Sequence, residues 1–198
     1  MKQINRVAGR YSLTEVKDIV ASVIVLSVAF AIVLGRRNDM NVFLLFGISA
    51  VIVCTSFMLH ELAHKYTAQK YGAWAEYRMF PLGLMMAMLF SFMGFIFAAP
   101  GVVYVNGNID NEKNGKIGAA GPAVNIIMAA AAVALAMLTS GMLSSIFWMM
   151  AAINAFFALF NLIPISPLDG SKVYRWSASI YLVMLAAAGA LLAVSWLL

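Results

Sequence analysis

Long apolar runs separated by short polar segments make up most of this chain. A helix needs about 20 mainly apolar residues to cross the hydrocarbon core of a bilayer. The runs are continuous rather than alternating, so they favour helices over strands. The pattern predicts membrane helices over residues 19–34, 42–69, 117–138, 144–163 and 178–198.

Composition supports a membrane protein. Of the 198 residues, 64% are hydrophobic and 11% are charged, whereas soluble domains are about half apolar and about a quarter charged. The length fits one integral membrane domain, 1–198. The single cysteine, Cys54, lies in an apolar run, which excludes a disulfide framework. The net charge of +5 is explained by loop topology and anionic lipid, and no interleaving of aromatic and basic residues points to nucleic acid.

Both histidines of the chain lie in the pentapeptide His60-Glu61-Leu62-Ala63-His64. Histidines four apart share one face of a helix and can bind one Zn²⁺ per chain, and Glu61 beside them can serve as a general base. The alternative is a solvated pair at a helix end. Because His60 follows Val42 by about 27 Å of helix, the motif is placed just inside one membrane face, where ionisable groups are costly and usually functional.

A catalytic zinc usually has three protein ligands and a water, so the motif lacks one ligand. Asp169 follows directly from a predicted membrane helix, in a segment broken by Pro164 and Pro167 that can turn a carboxylate back toward the membrane. The alternatives are Glu76 as ligand, or Asp169 as a turn residue before Gly170. The remaining acidic residues look solvated, lie on the opposite face or precede the first helix: Glu15, Asp18, Asp39, Asp110 and Glu112.

Three asparagines lie in predicted membrane helices. Asn161 can polarise a scissile carbonyl, or it can form a contact between helices. For Asn154, seven residues earlier on the same face, we favour the contact between helices. Asn125 can either support a zinc-bound histidine or join two helices.

The apolar stretch 79–105 decides the topology. If it does not cross and the N-terminus is cytoplasmic, then of the 13 Lys and Arg residues only Arg36 and Arg37 lie outside, as the positive-inside rule favours. Asp169 then also reaches the face that carries the histidines. We therefore predict a re-entrant β-hairpin with arms 79–90 and 95–105. The predicted fold is an all-α polytopic membrane protein of about five to six transmembrane helices, with this membrane-embedded hairpin after the histidine helix.

Three motifs in this order resemble the site-2 protease family, the intramembrane zinc metalloproteases, and they cover a catalytic core of about 42–177. The sequence departs from the family pattern at Ser171, where many members have a second glycine, and it lacks the PDZ or CBS domains of some members. The motifs are His60-Glu61-Leu62-Ala63-His64, Gly121-Pro122-Ala123-Val124-Asn125 and Asn161-Leu162-Ile163-Pro164-Ile165-Ser166-Pro167-Leu168-Asp169-Gly170.

The resemblance implies zinc on His60, His64 and Asp169, with Glu61 as general base and Asn161 near the oxyanion. It also implies a multi-pass protein of the cell membrane, with its active site near the cytoplasmic face. The expected function is regulated intramembrane proteolysis, in which transmembrane segments of membrane proteins are cut after local unwinding, with an edge of the hairpin holding the unwound strand.

Three alternatives compete with this function. A zinc-dependent transporter would spread ionisable residues over several helices. An inactive relative acting as a chaperone or adaptor for membrane helices would not need Glu61. Another intramembrane zinc hydrolase, such as a prenyl-protein protease, would use a downstream glutamate ligand. The sequence does not specify the substrate, the trigger or the oligomeric state.

Overall fold

The computed structural model describes residues 11–36, 40–96 and 99–197. Arg37 and Asp39, which the sequence places on the face opposite the histidines, lie outside these ranges. The described elements are, in chain order, α1 (Leu13–Gly35), α2 (Val42–Val53), a π-helical segment (Cys54–Met58), α3 (Leu59–Lys70), β1 (Trp74–Met79), α4 (Pro81–Ser91), β2 (Gly101–Asn106), α5 (Asn111–Leu138), α6 (Gly141–Asn161), α7 (Asp169–Trp176) and α8 (Ala178–Leu197).

The described part of the chain contains five helices that are long and apolar enough to cross a membrane, so the prediction of five helical runs is confirmed. One of them is continuous through α2, the π-helical segment and α3. Asn41 caps this helix: its side-chain oxygen accepts the Phe43 N–H at 2.8 Å. The five helices are Leu13–Gly35, Val42–Lys70, Asn111–Leu138, Gly141–Asn161 and Ala178–Leu197.

The chain divides into two compact units. The first comprises Met1–Ala50 with Lys65–Ile109, and the second comprises Val51–His64 with Asp110–Leu198. The assignment of 1–198 to one domain stays a prediction.

The predicted hairpin is wrong in its first arm, because 79–90 is helical over most of its length. The strands of the sheet are β1 and β2, paired antiparallel with Trp74 opposite Asn106 and Met79 opposite Gly101, and α4 lies between them in sequence. Pro81 stands at the start of α4, where its fixed φ suits a helix and its missing N–H costs nothing. The residues that follow, such as Leu84 and the methionines, are good helix formers.

The two ends of the segment 80–100 nevertheless lie side by side. The Phe80 N–H donates to the Pro100 carbonyl at 2.8 Å, directly beyond the last pair of the sheet. At the far end of α4, the Arg36 guanidinium donates to the Phe92 carbonyl. Gly94, with φ of 94°, lies in the turn after the helix. This path is compatible with the predicted re-entrant segment, which stays a prediction.

In the first unit, a buried ion pair joins α1 to α3 and β1. Glu15 and Lys65 are both 0% exposed, and the Lys65 ammonium lies 2.6 Å from Glu15 Oε2. The Tyr77 N–H donates to Glu15 Oε1 at 2.9 Å. The sequence-based expectation that Glu15 and Asp18 precede the first helix is wrong. Ser12 caps α1 by accepting the Glu15 N–H, and the helix begins at Leu13. Both carboxylates are therefore part of the folded first unit, where Glu15 pairs with Lys65 and Asp18 with Arg78.

In the second unit, α5 packs against α6 through small residues. Ala129, Ala132 and Ala136 are at most 3% exposed, and the Ser144 hydroxyl of α6 donates to the Ala136 carbonyl at 2.9 Å. Small side chains at such a face allow the backbones of two helices to approach closely. The helix begins at Asn111, earlier than predicted, because the Asp110 side chain accepts the Lys113 N–H at 2.8 Å as an N-cap.

We expect Lys65→Met to destabilise the protein more than the double change Glu15→Gln with Lys65→Met. The single change leaves a buried carboxylate without its counter-ion, at a cost of about 3–5 kcal/mol. The double change removes both charges and keeps an oxygen for the Tyr77 N–H. Thermal unfolding in detergent measures the difference, and Lys70→Met, at an exposed position of the same helix, is the control. Equal destabilisation by the single and double changes would contradict this account.

Candidate metal centre

Three side chains converge within the second unit. His60 and His64 lie one turn apart on α3, and Asp169 is the first residue of α7. Asp169 Oδ2 lies 3.3 Å from His60 Nε2 and 3.0 Å from His64 Nε2, and the two Nε2 atoms are 3.0 Å apart. The three residues are 3%, 8% and 5% exposed. The structure therefore brings together the two histidines and the carboxylate that the sequence nominates as metal ligands.

The irregular segment between α6 and α7 places Asp169 beside the two histidines. The backbone is irregular over 162–168, as the two prolines predict. Gly170 lies inside α7 and does not supply a turn. A Cβ on Gly170 would lie 2.1 Å from the Leu162 carbonyl oxygen, so the glycine allows the irregular segment to pack directly over the start of α7.

Backbone and side-chain acceptors fix the tautomers of both histidines. His64 Nδ1 lies 2.7 Å from the Ile117 carbonyl, which can only accept, so Nδ1 carries the proton. His60 Nδ1 lies 2.5 Å from Asn125 Oδ1. The Asn125 amide nitrogen must face the Ser56 carbonyl at 2.7 Å, which leaves its oxygen for His60. Both Nε2 atoms therefore present lone pairs to the centre.

Lone pairs from two imidazoles and one carboxylate repel each other unless a cation lies between them. Ligand atoms about 2.0–2.1 Å from a tetrahedral zinc lie roughly 3.3 Å apart, and the 3.0–3.3 Å separations of His60, His64 and Asp169 come close to this value. The donor set of two histidines and one carboxylate is typical of catalytic zinc, which keeps a fourth position open for water. The residues therefore fit a zinc ion.

Gly121 on α5 leaves the space beside these atoms. A Cβ at this position would lie 2.4 Å from His64 Nε2 and 2.6 Å from His60 Nε2, which is closer than any real contact. The adjacent Pro122 is accommodated within α5. A side chain at position 121 would therefore occupy the volume in which the three ligand atoms meet.

Lys172 binds the second oxygen of Asp169. Its ammonium lies 2.9 Å from Asp169 Oδ1, while Oδ2 faces the histidines. Burial raises the pKa of the Asp169 carboxyl, and the Lys172 ammonium lowers it. Lys172 thus stabilises the ionised carboxylate, whose other oxygen faces the histidines. Sequence reasoning missed Lys172, although its spacing of three from Asp169 on a helix was the available signal.

The other nominated residues have different surroundings. Glu61 is buried on α3 between the two histidines in sequence. Asn161 ends α6, and its side-chain amide donates to the Phe157 carbonyl of its own helix at 3.0 Å. The described contacts therefore do not bring Asn161 to the ligand cluster, and its role near an oxyanion stays a prediction. Of the two uses considered for Asn125, the histidine contact is observed together with a contact to Asn154.

The chain is similar to proteins that are named as zinc metalloproteases. The model of Peptidase family M50 matches residues 136–184. The chain is 37% identical over 180 residues to "Putative zinc metalloprotease MJ0611" of Methanocaldococcus jannaschii, covering 88% of this chain and 91% of that protein. It is 26% identical over 151 residues to "Zinc metalloprotease MJ0392" of the same organism, covering 75% of this chain and 39% of that protein.

A bacterial relative matches over a smaller share of both chains. The chain is 31% identical over 132 residues to "Putative zinc metalloprotease Rip3" of Mycobacterium tuberculosis, covering 64% of this chain and 30% of that protein. No solved structure matches the chain.

We expect Gly121→Ala to abolish metal binding, because the new Cβ would stand where the ligand atoms converge. Zinc content of the purified protein, measured by mass spectrometry, should fall from about one per chain to near zero. Gly189→Ala on α8, where a Cβ meets nothing within 4 Å, is the matched control. Full zinc content in Gly121→Ala would show that the metal binds elsewhere.

Proposed function

The chain belongs to peptidase family M50 and is a zinc metallopeptidase, and on this basis we propose that it cleaves membrane-spanning segments of other membrane proteins. One observation carries the proposal: the two histidines lie on Val42–Lys70, a helix apolar enough to cross a membrane. His60 follows the start of this helix by about 27 Å, so a peptide bond presented to it lies at membrane depth. Substrates of this site are therefore proteins with a transmembrane helix.

The proposed chemistry divides among a few residues. His60, His64 and Asp169 would hold the zinc, which would supply an activated water and polarise the peptide carbonyl. Glu61 takes the proton of the attacking water and returns it to the leaving amine. Asn161 donates to the developing oxyanion. A side-chain amide has two N–H groups, and its bond to the Phe157 carbonyl uses one of them.

We place this site near the cytoplasmic face of the cell membrane. With the return of 80–100 to its starting point, basic residues other than Arg36 and Arg37 fall on the side of the site, as the positive-inside rule favours. The assignment supports regulated intramembrane proteolysis, in which the released part of a substrate leaves toward the cytoplasm.

We further propose that an unwound substrate strand pairs with the outer edge of β2. Hydrogen-bonded and non-hydrogen-bonded pairs alternate in an antiparallel ladder. Phe80 donates to Pro100, so Val102 and Tyr104 direct their N–H groups toward β1. Val103 and Val105 therefore direct theirs outward.

The two edges of the sheet differ. The outward N–H of Tyr77 on β1 is taken by Glu15. In the described ranges the sheet has two strands, so no strand pairs with the outer edge of β2. The side chains of Val102, Tyr104 and Val105 on this strand are 49%, 57% and 37% exposed. Such an edge suits β-augmentation by an extended peptide.

We expect Glu61→Gln to keep about one zinc per chain and to lower cleavage of single-span substrates by about 10²–10⁴-fold, the usual contribution of a general base. Zinc content and product formation in detergent or liposomes measure the two effects. Glu112→Gln, at an exposed position of α5, is the control. Equal cleavage by the wild type and Glu61→Gln would overturn the mechanism, and no cleavage by the wild type of any single-span substrate would favour an adaptor.

We expect Val105→Pro to lower cleavage about two- to tenfold while keeping zinc content unchanged. Proline removes one outward N–H, worth about 0.5–1.5 kcal/mol in hydrogen bonding, without removing a bond to β1. Val105→Ala removes a similar amount of side chain and keeps the N–H, so it separates the two effects. Equal rates for the proline and alanine variants would argue against substrate pairing with β2.

A further inference from the structure

Asn154 is a fully buried amide in the apolar helix α6, and nothing in the proposed chemistry uses it. Its side-chain nitrogen donates to the Met150 carbonyl at 2.9 Å. Its Oδ1 lies 3.0 Å from Asn125 Nδ2. Asn125 is also fully buried and in turn contacts His60. The amide therefore lies one residue removed from a proposed zinc ligand.

The direction of every bond in this series is fixed by chemistry. A backbone carbonyl can only accept, so the Met150 carbonyl forces the Asn154 nitrogen toward it and the Asn154 oxygen toward Asn125. The Asn125 nitrogen then uses its two N–H groups on Asn154 and on the Ser56 carbonyl. Its oxygen is left to accept from His60 Nδ1, which turns the lone pair of Nε2 to the metal.

The Ser56 carbonyl belongs to the π-helical segment Cys54–Met58, directly before the zinc motif. In a π-helical turn the backbone bonds span five residues, as in the Leu59 N–H to Cys54 carbonyl bond. Single π turns within α-helices often occur at functional sites. Here the segment supplies an acceptor for Asn125 within the same helix that carries His60.

We propose that Asn154 is a positioning residue of the zinc site, which acts by holding Asn125 in the orientation that fixes the tautomer and direction of His60. The inference rests on the proposed assignment of His60 as a zinc ligand. Residues that hold a metal-bound histidine typically change metal affinity about 10–100-fold when they are replaced. Asn154 acts through Asn125, so its effect should depend on the presence of Asn125.

The competing role for Asn154 is a hydrogen bond that only joins α5 to α6. Both roles predict some loss of stability when the amide is removed. Only the positioning role predicts a change in zinc affinity and in the spectrum of a metal bound to His60. Ser144 offers a matched comparison, because its hydroxyl also joins α6 to α5 through the Ala136 carbonyl.

The test measures zinc affinity by competition with a chelator in purified full-length protein, together with the visible absorption of the cobalt-substituted protein. Asn154→Leu keeps the branched shape of the side chain and removes both hydrogen bonds. We expect its zinc affinity to fall about tenfold and its cobalt spectrum to change. Asn154→Asp, which burial keeps neutral, can donate to Met150 and accept from Asn125, and it should stay near the wild-type affinity. Ser144→Ala should leave both readouts unchanged.

A double-mutant cycle tests whether Asn154 affects zinc binding through Asn125. Asn125→Ala with Asn154→Leu should bind zinc no more weakly than Asn125→Ala alone, because Asn154 acts only through Asn125. Unchanged affinity in Asn154→Leu, or losses that add in the double variant, would overturn the proposal. His60→Ala is measured in parallel. Wild-type zinc affinity in His60→Ala would refute the ligand assignment itself. Loss of zinc affinity in His60→Ala, together with unchanged affinity in Asn154→Leu, would refute only the role of Asn154.

Discussion

The structure depends on the convergence of three electron-rich atoms in a buried place. Two imidazole nitrogens and one carboxylate oxygen lie 3.0–3.3 Å apart with both Nδ1 protons committed to acceptors on the protein. Such an arrangement is unfavourable without a cation, and it is costly to build among apolar helices. It persists because His64 is held by the Ile117 carbonyl and His60 by Asn125. A divalent metal bound between them would offset the unfavourable free energy of bringing the three acceptors together.

The need to satisfy buried polar groups also explains the other buried polar contacts of the two units. Water is absent from the hydrocarbon core, so each buried polar group needs a partner within the protein. In the first unit, Glu15 meets this need through Lys65 and the Tyr77 N–H. In the second unit, Asn125 and Asn154 satisfy each other and two backbone carbonyls. The bonds within each set favour a single arrangement over several of similar energy.

Side-chain type and spacing were enough to predict the five long helices and the three side chains that converge as candidate metal ligands. Apolar runs indicated the five long helices, and a histidine pair short of one ligand led to Asp169. The acceptors of the histidine protons could not be predicted where they are backbone carbonyls, as at Ile117, because a carbonyl leaves no signature in the sequence. The helix Pro81–Ser91 was mistaken for a strand because a short apolar run does not distinguish the two.

The contact between Asp169 and His64 also constrains the topology, independently of the loop charges. Two atoms 3.0 Å apart lie at the same depth, so the chain between them must cross a membrane an even number of times. If α5 and α6 each cross once, as their length and hydropathy allow, the segment 79–105 contributes no crossing. The return of Phe80 to Pro100 gives the same answer from local geometry. The convergence of Asp169 with the histidines, the strand pairing and the charge distribution therefore all favour the predicted re-entrant segment, although each rests on a different interaction.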